Sequence, residues 1–396
     1  MPLPPPCARA RDGESSEHAW RVFDDALTTA EALTASRSVV STTEDGRLRA
    51  SVRERGFGFV RDLSRSASER ARDERLARRA KALAERGFDP TWIAVWDDFW
   101  DALKALGARV RDRAFTGLVM NYDVLAWVVD PTTDEKTSAF GPHRDRQPED
   151  AKGSFRGEDG QARYVTAWVP LFHDATTRNS CLYCVPRECD PGYFEGDDDD
   201  GDDPMRVALS SKEKYQHVTA LPVKAGECVL FTHRLIHWGS VGQGEEGEPR
   251  VNFSVGFADD FEPPYLKDSP EYPTHEERVA LVAGQLICYH ERFPSSAKDL
   301  STLKKLFDAA KGSFDPNYVK KVTKEFASAA FEVESDEDDA IDDALDAMIE
   351  NVDDFDDDFD SFEDGVPEDE FGRAEASQSD DDDDGKDTVA KRRRES

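Results

Sequence analysis

At 396 residues the chain has room for a core of roughly 200–300 residues and further segments besides. Its net charge is -33, yet Glu332 to Lys386 alone holds 27 acids against two bases, a local charge of -25, so the body is only mildly acidic. Six scattered cysteines exclude the disulfide framework of a small secreted domain, no apolar run reaches the roughly 18–20 residues that span a membrane, and the N-terminus lacks a signal peptide's apolar core. The expected setting is intracellular and cytoplasmic, with nuclear import left open by Lys391-Arg392-Arg393-Arg394.

The first dozen residues, rich in Pro and Arg, are expected to be disordered. Trp20, Phe23, Ala26 and Leu27 give Ser16 to Ala35 an amphipathic helical spacing. Gly56 to Val60 reads as a short strand at a sheet edge. Ser64 to Arg86 is helical and dense in Arg interleaved with acids, the pattern of a solvated, salt-bridged helix surface. Asp89-Pro90-Thr91 opens another helix, with an Asp cap before a Pro. Its Trp92, Val95, Trp96, Phe99, Trp100, Leu103 and Leu106 fall at core spacing, and Gly107 is the expected stop.

From Phe115 the period changes to that of strands. Gly117 to Asp123 and Val124 to Val129 are two β-rich runs, followed by a turn-prone stretch to Ser138 and a polar loop from Glu149 to Ala162. In Arg163 to Leu171, Tyr164, Thr166 and Trp168 share one face and Val165, Ala167 and Val169 the other. Further strands are expected at Cys181 to Pro186, Val218 to Val223, Glu227 to Thr232, Leu235 to His237 and Val251 to Phe257, with Asp190 to Tyr215 as a surface loop. Short strands separated by frequent turns point to an antiparallel double-stranded β-helix, or jelly roll. Helices return after Pro263-Pro264: a capping box at Thr274 to Glu277, then Ser296 to Lys311 and Asn317 to Phe331. The expected organisation is a disordered start at 1–15, a helical region at 16–110, the jelly-roll core at 111–265, helices at 266–331 and a disordered acidic tail at 332–396. That tail dots Phe355, Phe359, Phe362 and Phe371 through its acids, a pattern suited to a basic protein partner.

The chemistry centres on Gly141-Pro142-His143-Arg144-Asp145. On extended chain His143 and Asp145 point one way and Arg144 the other, so one imidazole and one carboxylate offer two ligands to a metal. A distant His would complete the 2-His-1-carboxylate triad of non-haem Fe(II) oxygenases. His233 and His237 are both candidates, and spacing alone does not separate them. Arg250 shares a strand face with Asn252, Ser254 and Gly256, a setting suited to capture of a carboxylate. Cys181-x-x-Cys184 lacks the second pair of a zinc site and reads as two buried thiols.

The block from Gly141 to Asp259 resembles the phytanoyl-CoA dioxygenase family of Fe(II)/2-oxoglutarate-dependent oxygenases. The resemblance is carried by His143-Arg144-Asp145, Val165 to Leu171, Arg178 to Pro186, Leu221 to Phe231, Leu235-Ile236-His237-Trp238-Gly239-Ser240, and Arg250. It implies metal ligands at His143, Asp145 and His237, the last chosen over His233 by its Gly239-Ser240 context. It implies a 2-oxoglutarate site at Arg250 and Trp168, with Asn252 and Ser240 beside them, and O2 as oxidant; no general base is implied. Asn179-Ser180 stands where the family usually has Asn-Gly, Pro186-Arg187-Glu188-Cys189 where it has Pro-Gly-Ser-His, and Trp238 is inserted before Gly239. These departures sit on loops that shape the substrate entrance. The retained Asp145 argues against a halogenase, whose halide takes the carboxylate position. The reaction implied is hydroxylation of a C–H bond in a small or lipid-like substrate, an acyl-CoA among the candidates, with release of succinate and CO2. Two other readings stay open: the same fold acting on a protein or nucleic-acid target, and a non-catalytic jelly-roll interaction protein.

Overall fold

The computed structural model describes residues 45–61, 65–114, 117–130, 141–145, 151–157, 160–196, 206, 208–239, 249–260, 262–267, 272–291, 295–331 and 333. The expected helix at Ser16 to Ala35, the acids of Asp197 to Asp203, Ser240, the phenylalanine-dotted acidic tail and its terminal basic cluster lie outside these residues. Residues 338–396 form a unit separate from Met1–Glu337, which holds the elements described.

The elements in chain order are α1 (Asp45–Arg55), β1 (Phe57–Val60), α2 (Ala67–Glu85), α3 (Asp97–Ala114), β2 (Val119–Val129), β3 (Tyr164–Pro170), β4 (Leu182–Val185), β5 (Thr219–Leu221), β6 (Cys228–Thr232), β7 (Ile236–Gly239), β8 (Arg250–Ala258), α4 (His275–Cys288) and α5 (Ala297–Ala310). A further helix, α6, covers 316–331. The fold mixes helices with antiparallel sheets. Among the described residues, five strands form one sheet in the order β1-β6-β3-β8-β2, and three form a second in the order β5-β4-β7. On the second sheet, His143 makes an antiparallel bridge to His237 of β7, with both backbone N–H···O bonds at 3.0 Å.

Alternation along the strands divides the two faces of the large sheet. Val165, Ala167 and Val169 of β3, with Phe253, Val255 and Phe257 of β8, join the core that packs under the helices. At 2% and 1% exposure, Phe253 and Phe257 each contribute about 1.5–3 kcal/mol by burial. Phe57, Trp168, Val229 and Phe231 face the other way and pack with Leu182, Cys184 and Leu221 of the small sheet. The inner face of the large sheet therefore carries the side chains available to a site between the sheets.

Several expectations are corrected. The helix opening at Asp89 is broken: Asp89 caps a 3-10 turn, Pro90–Val95, Trp96 is extended, and α3 starts afresh at Asp97. Gly107 does not stop α3, because an interior glycine only weakens a helix whose apolar face is well packed. The Arg-rich α2 is salt-bridged but not wholly solvated. Arg72, Asp73 and Arg79 are buried, and Arg79 donates to Asp98 at 2.7 Å beneath the Trp96 ring. Asp190 to Tyr215 is not simply a surface loop, since Asp190, Tyr193, Ala208 and Leu209 are all buried. The two β-rich runs before Val129 are one strand interrupted by a bulge. Cys181 and Cys184 are fully buried thiols, and burial pushes the Cys181 thiol up to about 11. Ser180, standing where the family usually has glycine, holds the left-handed φ of 86° that glycine favours.

Candidate metal centre and co-substrate cleft

The His143 segment, β7 and β3 converge on one point. Each imidazole has its Nδ1 against a backbone carbonyl, His143 with Gly141 O at 2.7 Å and His237 with Leu235 O at 3.0 Å. That pairing makes Nδ1 the protonated nitrogen and turns both Nε2 atoms toward Asp145 Oδ1, at 3.6 and 3.4 Å. The ligand atoms of His143, Asp145 and His237 all lie within 4.8 Å of one another. Two imidazoles with fixed tautomers and one carboxylate are the donor set of a facial Fe(II) site, so these residues fit such an ion. Thr166 of β3 donates its hydroxyl to Asp145 Oδ2 and sets the carboxylate's plane. Burial would raise the Asp145 pKa, but the neighbouring His237 and His143 side chains and the Thr166 hydroxyl outweigh it, and the carboxyl is held well below its ordinary range.

Arg144 points to the opposite side, where its guanidinium meets Asp190 at 2.6 Å and donates to Arg234 O with both side chains fully enclosed. His233 is fully buried elsewhere, its Nδ1 on Tyr164 O at 2.9 Å and its ring stacked with Phe155, as a core histidine.

A cleft of about 620 Å³, counting its open mouth, runs past the triad. Arg250 and Trp168 line it; the guanidinium stands 5.1 Å over the indole ring. Arg250 is 2% exposed, its Nε has no hydrogen-bond partner among the described residues, and burial pulls its pKa down to about 10. A buried guanidinium facing a cleft is costly unless an anion joins it. Asn252 is fully buried with both amide atoms lacking partners among the described residues, and it is Ser254, one step further along the same face, that lines the cleft. Ser240 lies outside the described residues. Sequence reasoning missed Thr166 as a support for Asp145, although strand alternation already placed it between Tyr164 and Trp168.

The family model described as phytanoyl-CoA dioxygenase (PhyH) matches residues 22–241, more than half of the chain. The chain belongs to the phytanoyl-CoA dioxygenase family. Membership makes it an oxidoreductase, an Fe(II)- and 2-oxoglutarate-dependent oxygenase, in keeping with a triad whose donors suit iron. Among solved structures, the epimerase SnoN in complex with Fe3+, alpha ketoglutarate and nogalamycin RO is 22% identical over 58% of this chain and 91% of its own, with a TM-score of 0.36. AviO1 from Streptomyces viridochromogenes Tue57 is 18% identical over 57% of this chain and 99% of its own, with a TM-score of 0.37. EctD from S. alaskensis with bound Fe is 16% identical over 60% of this chain and 85% of its own, with a TM-score of 0.39. No curated protein matches the chain. No helix among the described residues is long and apolar enough to cross a membrane.

Proposed function

We propose that this phytanoyl-CoA dioxygenase family member hydroxylates a C–H bond of a small molecule, using His143, Asp145 and His237 to hold Fe(II) and Arg250 to hold 2-oxoglutarate. The observation that carries the reading is Arg250, a buried guanidinium whose Nε lacks a partner among the described residues, lining the same cleft as three converging metal donors. When bound, Fe(II) with 2-oxoglutarate and O2 supplies the oxidising power, turning C–H into C–OH with release of succinate and CO2.

The chain's own residues do the positioning. The Nδ1 contacts of His143 and His237 fix the imidazoles so that Nε2 is the ligand atom, and Thr166 restrains Asp145. Arg250, over the Trp168 ring, would hold the far carboxylate of the co-substrate. Trp127, Trp168, Leu182 and Phe231 supply apolar walls that keep water from the reacting centre. The two sheets, joined across the His143–His237 bridge, read as the faces of a double-stranded β-helix with the site between them.

The test is turnover of 2-oxoglutarate to succinate by Fe(II)-loaded protein without added substrate. The wild type is expected to show it and His143→Ala and Asp145→Ala to lose it. Equal rates in all three would overturn the assignment.

A further inference from the structure

Three successive inward residues of β3 each meet one part of the cleft. Trp168 lies under Arg250, Thr166 donates to Asp145, and Tyr164 donates its hydroxyl to Asp123 Oδ2 at 3.1 Å. At ~3.3 Å per residue, the step from Trp168 to Thr166 is about 7 Å and that from Thr166 to Tyr164 about the same. Arg250 and Asp123 thus mark opposite ends of one line, with the metal donors near its middle.

Asp123 reaches this position through an irregularity. Met120 pairs with Phe257 and Val124 with Val255, so Asn121, Tyr122 and Asp123 stand opposite Gly256 alone. Tyr122 takes a φ of 64°, and the Asn121 side chain accepts the Asp123 N–H at 3.0 Å. Bulges re-aim side chains near active sites, and strained backbone of this kind persists where the surroundings hold it. Asp123, at the end of the bulge, shares by strand alternation the face of Leu125 and Trp127, and all three line the cleft. The Tyr289 hydroxyl also donates to the Asp123 carboxylate, at 3.1 Å, which fixes its orientation, while the Tyr265 hydroxyl lies 3.3 Å away and donates to Glu262 at 2.6 Å.

We propose that Asp123, flanked by Tyr164 and Tyr289, is the substrate-recognition group of the cleft. It takes a hydrogen-bond donor, an ammonium or a hydroxyl, on a small molecule whose apolar body lies against Leu125 and Trp127. This rests on the reading of Arg250 and the triad as the co-substrate and metal sites. Among the described lining residues the acids and guanidinium are Asp123, Asp145 and Arg250. With Asp145 given to the metal and Arg250 to the co-substrate, Asp123, held by its tyrosines, is the acid of the described lining that stands toward the substrate space. A carboxylate or phosphate placed there would meet like charge.

The experiment uses full-length protein loaded with Zn(II), which has no redox chemistry, and 2-oxoglutarate, so that binding is read without turnover. Calorimetric titrations compare 2-phenylethylamine, 2-phenylethanol and phenylacetate, which share one apolar body. The amine and alcohol are expected to bind at least about tenfold more tightly than phenylacetate, and Asp123→Asn to weaken the amine by about tenfold or more. Equal affinities, tighter binding of phenylacetate, no amine binding at millimolar concentration, or an unaltered amine affinity in Asp123→Asn overturns the proposal. The wild-type comparison needs no variant, so the proposal stays exposed if Asp123→Asn does not fold. Failure of 2-oxoglutarate to bind the Zn(II)-loaded wild type overturns the co-substrate reading as well; its binding without a headgroup preference overturns the Asp123 assignment alone.

Discussion

Arg144 and Asp190 form an enclosed ion pair, Nη1 to Oδ2 at 2.6 Å, directly behind the residues that present His143 and Asp145. Asp190 also accepts the Gly192 N–H at 3.0 Å, so the pair ties the ligand-bearing segment to the turn that follows β4. Removing one partner leaves a buried charge, and Asp190→Ala is expected to cost about 3–5 kcal/mol of stability. Replacing both partners, Arg144→Met with Asp190→Leu, should recover most of that loss in a thermal melt. Metal binding should not recover, because the shape of the ion pair sets the pose of the ligands; its affinity is expected to fall about tenfold. A double variant that binds Fe(II) as tightly as wild type would show the pair to be structural only.

Arg250 predicts an opposition between stability and binding. Its pKa is pulled from the ordinary arginine range down to about 10 by burial. A base depressed on folding costs stability wherever it stays charged, so the penalty is fully present below about pH 10 and fades only above it. Without metal and 2-oxoglutarate, Arg250→Met is therefore expected to be more stable than wild type by about 1–3 kcal/mol. With both added, the wild-type melting temperature should rise and the variant's should not. An Arg250→Met protein that is both less stable and equally stabilised by 2-oxoglutarate would remove Arg250 from the co-substrate site.

What the sequence made legible follows from the range of the forces involved. Strand alternation and the capping box at Thr274 are local, and the structure places β3, β8 and α4 close to where they were expected. The His143-x-Asp145 pair could be read because its geometry lies within three residues; choosing His237 over His233 needed the family resemblance. The Arg144–Asp190 pair spans 46 residues and the Arg79–Asp98 pair 19, and no pattern along the chain signals which charges will be buried together. The bulge that aims Asp123 has no glycine to mark it: Tyr122 holds the positive φ, and tertiary contacts such as its packing against Trp100 override local preference. The extended Trp96 was hidden the same way, by an aromatic spacing that fits one long helix as well as two shorter pieces.

Thr166 offers a test of how Asp145 is held. Thr166→Val keeps the branched shape in β3 and removes the hydroxyl, and Fe(II) affinity is expected to fall about tenfold, with Thr166→Ser retaining most of it. The same change carries a pH signature. Asp145 is depressed on folding, so its contribution to metal-free stability is present above the ordinary carboxylate pKa and lost as pH falls below it. Taking away one of the partners that depress it raises the folded pKa, so acid unfolding of Thr166→Val should begin at higher pH. Identical acid-unfolding curves and metal affinities for Thr166→Val and wild type would show that the two imidazoles alone set the carboxylate.

Gly256 is the point where the bulge of β2 presses on β8. A Cβ there would run into the Tyr164 hydroxyl and Asn121 Oδ1, the atoms that position Asp123. Gly256→Ala is therefore expected to destabilise the protein by about 1–3 kcal/mol, measured by urea unfolding. Since the Tyr164 hydroxyl is the nearest obstacle, the Gly256→Ala, Tyr164→Phe double variant should regain part of the loss even though Tyr164→Phe alone gives up its bond to Asp123. Strict additivity of the two changes would mean that the backbone moves aside at Gly256 and the Tyr164–Asp123 contact does not depend on it.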